Sequence, residues 1–203
     1  MIPEQFIFLG ILLHSIGQLA YIISIARGHA KPNLVSWTIW AVAPMIGAFF
    51  QFRAGAGLSA LPVFWAGFGP FIVILFCLYK RNAYWKLTTF DIHCGILSIL
   101  ALIFYFFTKN LGISLLFAML SDALASLPTI VKAWKFPETE ISLNYFLAMI
   151  SNIIGLLIIK SWSFSVSAFG ISLVLQSAII IFCINRKKIL FWYNEQHVKK
   201  PTQ

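Results

Sequence analysis

Seven apolar runs of about twenty residues fill most of this 203-residue chain. That is the length a helix needs to cross the hydrocarbon of a bilayer, about 20 residues. The runs cover approximately 6–26, 34–52, 58–79, 89–107, 111–131, 141–159 and 163–184. The breaks between them are short and carry charge, glycine or proline: Arg27 to Pro32, Arg53 to Gly57, Lys80 to Lys86, Lys109-Asn110, Lys132 to Glu140 and Lys160-Ser161. None is long enough to mark a separately folded unit. Backbone polar groups inside lipid must be satisfied within their own segment, so runs of this length read as helices. The expected fold class is an all-α integral membrane protein with seven transmembrane helices. Only 10% of the residues are charged, against about 25% in a soluble domain. That shortage excludes a soluble enzyme or DNA-binding domain, and a content of 20 Phe suits a lipid-facing surface.

Charge position tests the count of spans. If seven segments cross, successive breaks alternate sides. The side of the N-terminus then receives three basic residues, Arg53, Lys109 and Lys160, and the opposite side receives the other twelve of the 15. A missed or invented helix would scramble that segregation. Basic residues collect on the cytoplasmic face, so the chain is expected in the plasma (inner) membrane with its N-terminus outside and its C-terminus cytoplasmic. The net charge of +9 is read as this topology signal, and nucleic acid is not an expected partner. The leader before the first run holds Glu4 and no Lys or Arg. A cleaved signal has a basic leader, so the first run is expected to remain as a span. Cys77, Cys94 and Cys183 sit in or beside apolar runs with no Cys-x-x-Cys spacing, which indicates neither zinc nor a disulfide framework.

Two stretches of the chain look alike. Arg27 and Lys132 each close a run, and Pro32 and Pro137 follow them, both pairs 105 positions apart. Each proline leads into a serine and an aromatic residue that open the next run, Ser36-Trp37 and Ser142 to Tyr145. Gly47 and Gly155 correspond at 108, and Arg81 and Arg186 again at 105. The layout is therefore three helices, a connector and three helices. It divides as 1–88, a first three-helix repeat; 89–110, the connector; 111–186, a second repeat; and 187–203, a basic cytoplasmic tail that mixes aromatic with basic residues. An odd number of connecting helices leaves both triplets in the same orientation, related about an axis along the membrane normal.

The segment Leu127-Pro128-Thr129-Ile130-Val131-Lys132-Ala133-Trp134-Lys135 resembles the PQ-loop motif, with Thr129 where that motif has Gln, and Thr139 to Phe146 resembles its continuation. With the three-one-three layout, the chain is similar to the SWEET/PQ-loop superfamily, which includes PnuC-type vitamin transporters, over about 6–184. The resemblance implies a small-solute carrier working by alternating access. Ile23 stands where the repeat would match Pro128, and Asn152 where it would match Pro44.

Polar groups at membrane depth are costly and mark solute paths. Asp122 is the only acid near the middle of a run, and is the first candidate for binding a cation or a hydroxylated solute, or for taking up a proton; as a purely structural group it would lock two helices. His14 and Gln18 lie four apart and share a helix face. The repeat sets Gln18 near the level of Asp122, so a hydrogen bond between them across the seam is expected. Trp40 lies deeper than an interfacial ring and could stack on a solute; Trp37 is read as either belt or wall. Asn144 and Asn152 both donate and accept. Trp65 and Gln176 complete the candidate substrate-binding set. Pro44, Pro62, Pro70 and Pro128 are candidate hinges, because an interior proline removes a helix hydrogen bond. Trp85, Trp134, Trp162 and Trp192 at span ends read as interfacial anchors.

No phosphate loop, metal spacing, nucleophile dyad or deep lysine in the last run is present, so neither an enzyme nor a retinal protein is expected, and no cofactor. Partners expected are membrane lipids, a small polar solute of sugar-like or vitamin/nucleoside-like type, and a proton as a candidate coupled ion. A homo-oligomer is open, since lipid-facing and partner-facing Phe look alike. The competing reading is a non-transporting seven-helix receptor or membrane assembly protein of the same fold.

Overall fold

A computed structural model describes residues 2–81, 84–108 and 110–198, with side chains through Ile189 except those of Tyr105, Phe106 and Leu111. Trp192, Lys109, Lys199 and Lys200, used above for anchoring and topology, lie outside the described side chains. Among the described residues there are seven α-helices and no strand. They are α1 (Phe6–Ala26), α2 (Leu34–Arg53), α3 (Leu61–Lys80), α4 (Thr89–Phe107), α5 (Leu111–Lys135), α6 (Ser142–Leu157) and α7 (Phe164–Val198), with short 3-10 turns at Gly57–Ala60 and Pro137–Thr139.

Local chemistry starts several of these helices. The first turn of a helix leaves backbone N–H groups without partners, and a short polar side chain at the cap accepts them. Asn33 Oδ1 accepts from the amides of Val35 and Ser36 at 3.1 and 3.4 Å. Asn110 Oδ1 does the same for Gly112 and Ile113 at 2.9 and 3.2 Å. Before α4, Thr88 N–H donates to Asp91 Oδ2 at 2.7 Å and Asp91 N–H to Thr88 Oγ1 at 3.3 Å, a reciprocal capping box. Pro62 sits in the first turn of α3, where a missing N–H costs nothing; Pro44, Pro70 and Pro128 lie inside α2, α3 and α5.

Among the described residues, five helical stretches are long and apolar enough to cross a membrane: Phe6–Ala26, Leu34–Arg53, Gly57–Lys80, Gly112–Lys135 and Phe164–Ile189. The remaining two of the seven expected spans are apolar but shorter. The sixth is trimmed at both ends: Pro137–Thr139 forms a 3-10 turn ahead of it, and the helix stops at Leu157, so its 16 residues rise about 24 Å. In α7 the departure is opposite. The helix continues without a break past 184 to Val198, so the expected boundary at 186 falls inside one continuous element.

Packing follows a regular order. α3 packs on both α1 and α2, and α7 packs on both α5 and α6. α1 lies against α6, and α2 against α5; α4 lies against α5 and α2. Gly17 permits the α1–α6 approach, since a Cβ there would stand 3.2 Å from Asn144 Cα and from Leu147 Cβ. One core cluster is aromatic, around Tyr21, Trp37, Trp40 and Tyr145. The other gathers Ala48, Val63, Leu115, Phe169 and Leu173. The outer faces are apolar as well: Phe8, Leu12, Leu19 and Leu78 are all more than half exposed. Apolar exposure on this scale is foreign to a soluble monomer and normal for a surface in contact with lipid.

Candidate functional site

A cavity of about 70 Å³ lies between the helices, and every helix except α4 contributes to its wall. Helical period explains which side chains reach it. His14 and Gln18 come from one face of α1; Trp37, Trp40 and Pro44 from one stripe of α2; Asn144, Ala148 and Asn152 from successive turns of α6. Asp122 enters from α5, and Gln176, Ser177 and Ile180 from α7. Of the eight candidate binding residues, the fold brings seven to this one space.

Trp65 is the exception. Ala66 and Pro70 of α3 face the cavity, and Trp65, one residue round the helix, is half-buried against Phe68 with ring centroids 5.3 Å apart. Among the candidate hinges, Pro44 and Pro70 line the cavity and Pro128 does not. Trp37 belongs to the core rather than to an interfacial belt: it is 1% exposed and stacks on Tyr21 at 4.6 Å. The hydrogen bond expected between Gln18 and Asp122 is not formed. Gln18 Nε2 donates to the Gly69 carbonyl at 3.2 Å, and Asp122 Oδ2 accepts from Gln176 Nε2 at 2.7 Å. Each of these bonds is made within its own set of three helices, because α1 packs on α3 and α5 on α7. Gly69 is needed for the first of these contacts, since a Cβ there would lie 2.7 Å from Gln18 Oε1.

The rest of the hydrogen-bond accounting is incomplete at the cavity. Asp122 is fully buried, and His14, Asn144 and Asn152 are each no more than 5% exposed. Asn152 Nδ2 donates to the Ala148 carbonyl at 2.9 Å. Yet His14 Nδ1, Asp122 Oδ1, Asn144 Oδ1, Asn152 Oδ1 and Gln176 Oε1 have no hydrogen-bond partner in the structure. Buried polar atoms are almost always paired. With Trp37 Nε1, six such atoms lie on residues lining this one cavity and make it a polar site. Among the described residues, no three His, Cys, Asp or Glu side chains are grouped to hold a metal ion.

One end of the site is closed by aromatic rings and then by buried charge. Trp40 meets Trp37 edge-on at 5.8 Å and Tyr145 at 6.5 Å, and Tyr145 meets Tyr21 at 6.4 Å. Beyond them, Glu140 Oε2 accepts from both Tyr21 and Tyr145 hydroxyls at 2.9 Å, and Glu140 Oε1 pairs with Lys132 Nζ at 2.5 Å. Lys132 also donates to the Lys31 carbonyl and lies 5.6 Å from the centre of the Trp85 ring. This network ties α1, α5, α6 and the leads into α2 and α4 at one point. In the sequence alone Lys132 and Glu140 fall in a polar break, which hides this network. A weak signal was available in Tyr145, five residues after Glu140 at the start of a helix.

Comparison with known proteins gives no match: no family model, no curated protein and no solved structure is significantly similar to this chain.

Proposed function

We propose that the chain is a membrane carrier for a small polar solute, working by alternating access between two three-helix units, α1–α3 and α5–α7, joined by α4. The observation that carries this reading is the set of six buried polar atoms without protein partners around one cavity. An unpaired buried group costs on the order of 1–3 kcal/mol, so a chain that keeps several in one place has a use for them. A solute that enters and leaves supplies the missing bonds.

The packing order supports the repeat. In each unit the third helix packs on the first and second, and across the seam the first helix of one unit meets the second of the other. The polar bonds repeat as well, from Gln18 to the third helix of its unit and from Gln176 to the first helix of its own. In this reading the units rock about the cavity. Pro44, Pro70 and Pro128 interrupt helix hydrogen bonds and let their helices bend. Breaking the Lys132–Glu140 network opens the end that the basic residues mark as cytoplasmic, with the N-terminus outside. Asp122 is the group able to couple a proton to solute movement. The resemblance to SWEET/PQ-loop carriers points the same way.

Cysteine accessibility tests the motion without knowledge of the solute. Ala148 is small and lines the cavity. In a chain with Cys77, Cys94 and Cys183 replaced by serine, Ala148→Cys reconstituted in liposomes should react with a membrane-impermeant thiol reagent from either side. Labelling from one side only, or from neither, would remove the carrier reading and favour a receptor or assembly protein.

A further inference from the structure

We infer that the solute is a small organic cation, an ammonium or amidinium group on a short apolar body. This rests on the carrier reading, since it names what that cavity carries.

One half of three cavity amides is already used. Gln18 Nε2 faces the Gly69 carbonyl, Asn152 Nδ2 the Ala148 carbonyl and Gln176 Nε2 the Asp122 carboxylate. The Gly69 and Ala148 carbonyls cannot donate, which fixes the Gln18 and Asn152 amides, and an ionised Asp122 fixes Gln176 in the same way. The nitrogens are spent inside the protein. What remains for Asn152, Gln176 and Asp122 is oxygen: Oδ1, Oε1 and a carboxylate Oδ1, all without partners. Asn144 Oδ1 is a fourth buried oxygen without a partner.

Four unpartnered oxygens against one unpartnered donor, Trp37 Nε1, with His14 Nδ1 free to act as either, favour a ligand made of donors. An ammonium group carries three donors and no acceptor, and an amidinium group is likewise all donor. A hydroxyl group brings an acceptor with each donor, and of the unpartnered wall atoms Trp37 Nε1 and, in one tautomer, His14 Nδ1 are left to meet it, so a polyol leaves oxygens short of partners here. An anion meets Asp122 and no lysine or arginine, since none lines the cavity. The aromatic side of the wall agrees. Trp37, Trp40 and Tyr145 present ring surfaces, and such rings attract a cation, more strongly when it is desolvated. Leu173 and Ile180 give an apolar patch for the body of the solute. A volume of about 70 Å³, against roughly 10–15 Å³ for one water, limits that body to a few heavy atoms.

The test is a charge series on the purified full-length protein in neutral detergent. Methylammonium, n-propylammonium and acetamidinium chlorides are titrated against sodium chloride, 1-propanol and sodium propionate at matched ionic strength, with thermal unfolding as the readout. At least one organic cation should raise the unfolding temperature saturably, and the three controls should not. Asp122→Asn should weaken that effect about 30-fold or more, the scale for losing the charged partner of a buried charge. The wild-type series stands alone if the variant does not fold. Equal stabilisation by sodium chloride would make the ligand a metal ion. Equal stabilisation by propanol or propionate, or no saturable response to any organic cation, would also overturn the inference. The thiol-labelling result separates the two readings. Two-sided labelling without amine binding overturns the solute class alone, and amine binding with one-sided labelling overturns the carrier alone.

Discussion

Replacing Glu140 by Gln tests the buried charge network at one end of the bundle. The substitution keeps shape and leaves an oxygen able to accept from Tyr21 and Tyr145, which now donate to Glu140 at 2.9 Å. It removes only the charge. Lys132 Nζ stands 2.5 Å from the carboxylate, and the two side chains are 2% and 0% exposed. Breaking such a pair from one side leaves a charge in a low-dielectric interior, at about 3–5 kcal/mol. For a chain of this size, each kcal/mol moves the midpoint by roughly 2–4 °C, so Glu140→Gln should lower it by about 6–20 °C. The assay is thermal unfolding in detergent followed by tryptophan fluorescence, to which Trp37, stacked on Tyr21, contributes. Adding Lys132→Met should recover most of the loss, because replacing both charges is close to neutral where removing one is not. A shift below about 2 °C for the single variant, or a double variant as unstable as the two losses summed, would show that the network is not a dry ion pair. In the carrier reading the same bonds hold this end shut. Glu140→Gln should therefore also speed thiol labelling of Ala148→Cys from this side.

Two further outcomes follow from local geometry. Gly17→Val puts side-chain carbon where α1 meets α6 at 3.2 Å, so it should destabilise by about 1–3 kcal/mol as overpacking, and pairing it with Leu147→Ala should return part of that loss; an unchanged midpoint would mean the two helices separate freely. Asn33→Ala leaves the amides of Val35 and Ser36 without their acceptor in a turn where Asn33 and Ser36 are buried and should cost about 1 kcal/mol, whereas Asn33→Asp should hold stability; equal losses in the two variants would mean that the cap is not what Asn33 supplies.

The helices were legible because hydrophobic length and capping are local. The run at 6–26 coincides with α1, and Asn33 and Asn110 cap the helices that follow them. The stripes were legible for the same reason. A period of 3.6 residues sets His14 beside Gln18, whatever lies across from them. What the chain alone left open was rotation: which face of each helix meets which neighbour. Trp65 lost its place at the cavity to Ala66, one residue away, and Gln18 bonded to Gly69 rather than to Asp122. Lys132 and Glu140 read as solvated loop charges until α1, α5 and α6 converged on them. A sequence states how much apolar surface each segment must hide, and so determined seven helices with polar stripes. Only the tertiary structure decided which polar atoms find partners and which are left over. Pairing depends on ångström distances between segments far apart in the chain, and no local preference encodes those distances.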